Sequence, residues 1–206
     1  AVSPLNTYGA TKLLMEKLFT SAIHYSNPKK HPTKFLAVRY GNVFGSSGSV
    51  IPKFIQQIKN KQKITITDPN MTRFTITMDD ALDFILKASE LGKGSEIFVP
   101  KLKSYSIQTV RDALFELLEN SGENIIGIRP GEKLHEVLIN RDEIRKTWEL
   151  DQLYMIPDLY STNEQILSTY ENIQQVQDMK FYSSENAERI DKNELKNIIT
   201  RYDMVD

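Results

Sequence analysis

Apolar positions recur along this chain in two rhythms, a three-to-four-residue spacing and short continuous runs, and the alternation of the two predicts alternating helices and strands. Asn6 or Thr7 suits an N-cap, and the spacing of Ala10, Leu13, Leu14, Lys17, Leu18 and Ala22 predicts a helix to about residue 25. The polar segment 26–32, with prolines at 28 and 32, reads as a loop. The apolar run 35–40 is followed by turn signals and suits a buried parallel strand. Glycines and serines over 41–48 predict a turn, and 51–59 a helix; 64–67 and 75–77 read as short strands. Residues 79–91 form an amphipathic pattern that points Leu82, Ile85, Leu86 and Ala88 inward, with Asp79 and Asp80 as first-turn charges favoured by the helix dipole. A strand at 96–99 stops at Pro100, a helix follows over 106–120, and a strand at 125–128 ends at Arg129-Pro130. This order predicts an α/β fold with parallel pairing. Beyond about Pro157 the chain turns polar and reads as an appendage, closed by a helix at 191–202 that packs Leu195, Ile198 and Ile199, with partial disorder as the competing view.

Composition narrows the class. The 206 residues suffice for one ordinary domain or two small ones, and a net charge of −1 gives no broad electrostatic ground for binding nucleic acid or a membrane. There are no cysteines, so disulfides and thiolate chemistry are excluded. No apolar run approaches the roughly 20 residues of a membrane span, and the first residues do not read as a signal peptide; the expectation is a cytoplasmic protein. His24, His31 and His135 show no metal-ligand spacing, so no metal is expected, and Trp148, Tyr154 and Tyr160 read as packing residues.

The chemistry gathers at Tyr8-Gly9-Ala10-Thr11-Lys12. Residues i and i+4 share a helical face, so Tyr8 and Lys12 can point into one cleft. A free phenol titrates near pH 10; a nearby ammonium favours the phenolate and brings it into the range of a general base. The same ammonium can hydrogen-bond a ribose hydroxyl and hold a nicotinamide in place. Taken by itself the spacing also fits a surface tyrosine beside a solvated lysine. No glycine-rich phosphate loop precedes the pair, so the chain reads as the back half of an oxidoreductase-type fold, with a cofactor-binding front half missing.

The stretch from Pro4 to Lys12 resembles the active-site helix of extended short-chain dehydrogenase/reductases, and more narrowly that of the soluble, inverting 4,6-dehydratases of UDP-N-acetylglucosamine. The likeness continues, in order, through Arg39-Tyr40-Gly41-Asn42-Val43, Gly45 to Pro52, Ile66 to Phe74, Glu96 to Pro100 and Ile126 to Glu136. It implies the C-terminal part of a Rossmann-type doubly wound parallel sheet (residues 1–45 and 74–104), a small α/β nucleotide-sugar-binding domain (46–73 and 105–157) and the appendage (158–206).

The resemblance also implies roles. Tyr8 and Lys12 are the catalytic pair and, with Tyr40 and Val43, face an NADP or NAD cofactor. Asn42 is placed to meet a sugar hydroxyl or acetamido group, although an Asx turn explains the residue equally well from local sequence. Backbone N–H groups around Ser47, Ser49 and Val50 are placed toward a diphosphate; Ser47 stands where the family carries arginine. Arg73 and Arg129 are the diphosphate candidates, since guanidinium forks suit phosphate oxygens; for either alone, a surface ion pair is the ordinary role. Glu132 is placed for the nucleotide ribose and Thr67 for the uracil.

The implied reaction oxidises C4 of UDP-N-acetylglucosamine, eliminates water across C5 and C6 and inverts C5. The family's aspartate–lysine pair for the elimination would fall ahead of Ala1, so the chain alone is expected to be inactive; the implied partners are UDP-N-acetylglucosamine, further copies in a homo-oligomer, and the missing N-terminal half needed for cofactor binding. Two rivals stand beside this reading: another nucleotide-sugar epimerase or reductase of the superfamily, and a non-catalytic UDP-sugar-binding module.

Overall fold

The computed structural model describes residues 2–25 and 32–205; most of the expected loop at 26–32, with His31, lies outside the described residues. In chain order the elements are α1 (Thr7–Tyr25), β1 (Ala37–Val38), β2 (Asn42–Val43), α2 (Val50–Lys59), β3 (Ile64–Ile66), β4 (Thr72–Ile76), α3 (Met78–Leu91), β5 (Ile97–Pro100), β6 (Ser104–Ser106) and α4 (Ile107–Leu117). They continue with β7 (Glu123–Ile125), β8 (Val137–Ile139), a 3₁₀ turn (Ile144–Lys146), β9 (Trp148–Leu150), β10 (Leu153–Ile156), α5 (Asn163–Thr169), β11 (Ile173–Gln175), β12 (Tyr182–Ser183) and α6 (Lys192–Arg201). The α/β class holds. Two compact units divide the chain: the first takes residues up to Tyr40, Asp79–Lys101 and Val137–Tyr182, and the second takes Gly41–Met78, Leu102–Glu136 and the residues from Ser183 on. The polar C-terminal part, read as an appendage, contributes elements to both.

The first unit is built on a five-stranded sheet in the order β1-β5-β10-β9-β11. β1 and β5 run parallel, with Ala37 opposite Ile97 and Val38 opposite Phe98. The remaining ladders are antiparallel, because β9 and β10 form a hairpin laid along β5. Both β5 and β10 are buried along their whole length, which is why they read as unbroken apolar runs. Phe98, Met155, Trp148, Leu153 and Ile166 form the core with Phe84 and Ala88 of α3.

Two helix faces depart from expectation. On α3 the inward residues are Ala81, Phe84 and Ala88, while Leu82, Ile85 and Leu86 are exposed. Both sets satisfy a three-to-four spacing, and the rotation is decided by where Phe84 fits the sheet. On α1, Leu14 and Leu18 are exposed, and the one residue of the helix that is buried is a charged one, Glu16. Tyr160 is exposed rather than packed inward, and it meets His24 edge-on with ring centroids 5.0 Å apart. Trp148 and Tyr154 are buried, as packing residues should be.

In the second unit β2 runs parallel to β4, β4 antiparallel to β6, and β3 parallel to β7. Its core joins Ile51, Phe54 and Ile58 of α2 to Ile64, Ile66, Val110 and Leu114, and to Leu195 and Ile199 of α6. Ser106 caps α4 by accepting the Thr109 N–H at 3.0 Å, and Asp191 caps α6 by accepting the Glu194 N–H at 2.8 Å. Glu116 of α4 receives both Lys192 and Lys196 of α6. Gly41 has a steric reason to be glycine: a Cβ there would stand 2.4 Å from the Phe74 Cβ and 2.8 Å from its carbonyl carbon.

Candidate active site

Local sequence sets the Tyr8–Lys12 helix start. The Asn6 side chain accepts the Gly9 N–H at 2.8 Å, so Asn6 rather than Thr7 is the cap. Gly9 lets the incoming chain fold close, since a Cβ would lie 2.8 Å from the Pro4 Cβ. Tyr8 therefore falls in the first turn, 72% exposed, and Lys12 one turn on brings its Nζ to 5.3 Å from the Tyr8 ring centroid. The pair does share a face and is in contact as a cation over an aromatic ring.

Arg39, just after β1, holds α1 through Glu16. Its Nε donates to Glu16 Oε2 at 2.7 Å and its Nη2 to Glu16 Oε1 at 2.6 Å. Its Nη1 and Nη2 donate to the Glu143 carboxylate at 2.8 and 2.7 Å, and Nη1 also donates to the Leu138 carbonyl at 2.8 Å. Burial opposes the guanidinium charge, but the hydrogen bonds and charges of Glu16 and Glu143 outweigh it and hold Arg39 above its ordinary value. Burial likewise opposes the Glu143 charge, and Arg39 overrides it to hold that carboxyl below the usual range. Tyr40 follows directly, its ring edge-on to Phe84 at 6.3 Å. A cavity of about 620 Å³ in the same unit, lined by Lys17, His24, Asp142, Glu143, Asp158 and Tyr160 among others, contains none of the predicted site residues.

The other predicted residues belong to the second unit. Asn42 pairs with Thr75 and Val43 with Ile76 across the parallel β2–β4 ladder, and the chain then turns, with the Ser46 N–H donating to the Val43 carbonyl at 3.2 Å. Gly45 and Gly48 take positive φ, 70° and 77°. Ser47 is exposed on this turn. Ser49 is the N-cap of α2 and makes no side-chain capping bond, and Val50 begins the helix.

Thr67 follows β3. The β3–β7 register continues past the strands, where the Ile126 N–H donates to the Ile66 carbonyl at 2.9 Å, so Thr67 and the segment leading to Arg129 lie at the same, carboxyl end of two parallel strands. Arg129 is 54% exposed at the side chain, with Glu132 at 3.8 Å; the Glu132 carboxylate also accepts the Arg129 N–H at 3.3 Å. Gly131, at φ 83°, closes that turn.

Arg73 is differently placed. Its fork donates to the carbonyls of Thr72 at 2.7 Å, Leu134 at 3.2 Å and Lys133 at 2.9 Å, and to the Met71 sulfur. Burial is the largest influence and pushes the guanidinium below its ordinary value, against Glu136, Tyr105 and Glu132. Beneath it, Thr72 Oγ1 lies 2.8 Å from His135 Nδ1 and 2.7 Å from Ser184 Oγ, which accepts the Glu136 N–H at 2.8 Å. His135 is thus part of the network that holds the 132–136 loop. Thr72 and Ser184 are separated by more than a hundred residues, and no sequence motif pairs them.

Together these features define a class: an α/β protein carrying the tyrosine–lysine helix of extended short-chain dehydrogenase/reductases. Residues 1–158 match the polysaccharide biosynthesis protein family, and the chain belongs to it. It is 41% identical, over 90% of its length, to a UDP-N-acetylglucosamine 4,6-dehydratase (inverting) from Campylobacter jejuni. It is 36% identical, over its whole length, to a UDP-glucose 4-epimerase from Rickettsia massiliae. The chain spans 56% and 60% of those two relatives. Among solved structures, Pen from Bacillus thuringiensis superposes with a TM-score of 0.84 at 40% identity, covering 98% of this chain and 59% of that one. A UDP-glucuronic acid 4-epimerase from Bacillus cereus, in complex with UDP-glucuronic acid and NAD, gives 0.52 at 26% identity over 64% of this chain and 43% of that one. Among the described residues, no helix is long and apolar enough to cross a membrane, and no group of three or more His, Cys, Asp or Glu could hold a metal ion.

Proposed function

We propose that the protein carrying this chain is a nucleotide-sugar oxidoreductase-type lyase, converting UDP-N-acetylglucosamine to a UDP-4-keto-6-deoxy-hexosamine with loss of water and inversion at C5. The observation that carries the reading is the Tyr8 phenol and Lys12 ammonium in contact on the exposed face of α1, in a chain 41% identical to an enzyme of that name. The exposed hydroxyl and ammonium fit a nicotinamide riboside, with Lys12 donating to ribose hydroxyls; Tyr40 and Val43 are assigned to the same cofactor. A bound NADP or NAD supplies the hydride acceptor. Tyr8 takes the C4 hydroxyl proton as general base while C4 becomes a ketone, with the Lys12 ammonium held over its ring. The ketone acidifies the C5 proton, so that proton and the C6 hydroxyl leave as water; the hydride taken from C4 would then return to C6 and a proton would add to the opposite face of C5, giving the 4-keto-6-deoxy product.

Substrate orientation falls to the second unit. Arg129 and Arg73 are assigned to the diphosphate together with backbone N–H groups of Ser47, Ser49 and Val50. Glu132 is assigned to the ribose, Thr67 to the uracil and Asn42 to the hexose. Work as a homo-oligomer in the cytoplasm belongs to the same proposal.

A second reading, C4 epimerisation without dehydration, is favoured by the 36% identity to UDP-glucose 4-epimerase over the whole chain. Both readings need Tyr8 at C4, and the product separates them. The whole protein, incubated with UDP-N-acetylglucosamine and NADP or NAD in deuterated water, is followed by proton NMR. A new C6 methyl with deuterium at C5 supports the dehydratase, and a C4-inverted hexose without deuterium supports the epimerase. Tyr8→Phe should lower either rate by about 10² to 10⁴. UDP-sugar binding by calorimetry with no product, and no effect of Tyr8→Phe, would overturn both in favour of a binding module.

A further inference from the structure

α1 is nineteen residues long, and the described residue it buries is Glu16, a carboxylate. An apolar ridge would leave a helix some freedom to rotate and slide, because the hydrophobic effect has no direction. A bidentate carboxylate on a guanidinium has both direction and a fixed separation. The five N–H donors of Arg39 match five short bonds: two to Glu16, two to Glu143 and one to the Leu138 carbonyl. The Arg39 backbone is fixed as well, its N–H donating to the Phe98 carbonyl at 2.9 Å. Lys17 Nζ lies 3.8 Å from both Glu16 and Glu143, so two positive charges face two negative ones. Tyr8, Lys12 and Glu16 follow one another at i, i+4 and i+8 on α1, so the clamp grips the helix two turns beyond the phenol, about 12 Å along its axis.

We propose that Arg39 is a positioning residue: by gripping Glu16 and Glu143 together it fixes the rotation and height of α1, and so places the Tyr8 oxygen for proton transfer at C4. The inference rests on the Tyr8-dependent chemistry proposed above. A stabilising role would be served as well by apolar side chains of similar volume; a placing role would not. The clamp also ties the helix to the strand end that leads into Tyr40, so the proton acceptor and the cofactor-facing residue move as one body.

The test uses the whole protein, unlabelled and C4-deuterated UDP-N-acetylglucosamine, and three variants. Glu16→Gln removes one charge of the clamp, and Glu16→Asp keeps the charge while shortening the arm by one methylene. Glu96→Gln is the control. It weakens another buried carboxylate of the same unit, which accepts the Gly94 N–H at 2.7 Å and the Tyr170 hydroxyl at 2.8 Å and does not touch α1 through those bonds. Displacing the phenol by about 1 Å should lower kcat by about 10- to 100-fold. KM for the sugar should stay within about twofold, and the isotope effect on kcat should rise as C4 oxidation becomes slower than other steps. Glu96→Gln should leave the isotope effect unchanged even at an equal loss of thermal stability. If Glu16→Gln does not fold, Glu16→Asp decides. The proposal is overturned if both Glu16 variants keep wild-type kcat. It is equally overturned if they lose kcat with an unchanged isotope effect, since that is a loss of active molecules and not of placement. Absence of any turnover of UDP-N-acetylglucosamine by the wild-type protein overturns the functional reading itself, and the clamp's role with it.

Discussion

Leu195→Ala tests whether the polar C-terminal part is structural. Leu195 sits on α6, is 0% exposed, and belongs to one core with Val110, Leu114 and Ile199. Truncation to alanine removes three carbons, worth about 2.4 kcal/mol of transfer free energy at roughly 0.8 per carbon. A cavity term adds to this, since Val110, Leu114 and Ile199 are themselves fully buried and have little freedom to collapse inward; the total should be about 3–5 kcal/mol. The surface pairs of Glu116 with Lys192 and Lys196 lie in water and are screened by salt, so they should not rescue the variant. With a urea dependence of about 2 kcal/mol per molar, the midpoint should fall by about 1.5–2.5 M, read by circular dichroism and by amide exchange in α4. Leu159→Ala, at a position 75% exposed, should move it by less than about 0.3 M. A Leu195→Ala midpoint as close to wild type as that of Leu159→Ala would refute the docking of α6 and restore the appendage reading.

Three further outcomes follow from the same coordinates. Gly41→Ala should destabilise by about 1–3 kcal/mol or prevent folding, because the new Cβ meets Phe74 backbone atoms at 2.8 and 2.9 Å; a wild-type melting temperature would contradict that contact. Asn6→Ala should cost about 1 kcal/mol and speed exchange of the Gly9 amide, whose acceptor it removes; unchanged exchange would mean another cap. Burial pushes the Tyr105 phenol up to about 12, against a smaller opposing influence of Arg73. Below pH 10 both folded and unfolded states keep that proton, so its contribution is complete there. Between pH 10 and 12 only the unfolded state ionises, and stability should fall by up to about 3 kcal/mol. Urea midpoints for Tyr105→Phe should show a shallower alkaline slope than wild type, and equal slopes would refute the assignment.

What could be read from the sequence divides along a physical line. The elements whose signals are local were legible: α1 with its cap narrowed to Asn6 or Thr7, and α2, α3 and α6 to within a residue or two. The capping box of α5, Thr162 with Gln165, was equally local and went unread because the surrounding polarity masked it. What failed was direction. On α3 two offset triplets satisfy the same period, and only the sheet chooses Ala81, Phe84 and Ala88. On α1 the buried face is marked by Glu16, which no hydrophobic period includes; its partners Arg39 and Glu143 stand 23 and 127 positions away, so the triad exists only once the chain has folded. The β9–β10 hairpin fell in a stretch assigned to the other domain, and it is what turns a parallel edge into a mixed sheet. For the site, the i, i+4 contact of Tyr8 and Lys12 was readable, while the commitment of Arg73 to the 132–136 loop was not.

That commitment separates the two arginines under the proposed function. A diphosphate drawing on Arg73 must exchange the carbonyls of Thr72, Lys133 and Leu134 for phosphate oxygens. The exchange adds a charged acceptor to a donor that is already charged, but the vacated carbonyls must then find water or new donors, at about 1–3 kcal/mol for each left buried and unpaired. Arg129 carries no such debt: its side chain is half exposed and its nearest carboxylate lies at 3.8 Å. Removing Arg129 should therefore subtract ligand affinity and leave the fold alone. Removing Arg73 should loosen the 132–136 loop even before ligand is added. Calorimetry with UDP on Arg129→Ala and Arg73→Ala, beside amide exchange over 132–136 in the free proteins, distinguishes the two roles. If Arg73→Ala leaves that loop's exchange at the wild-type rate, the carbonyl bonds hold nothing and the two arginines are equivalent.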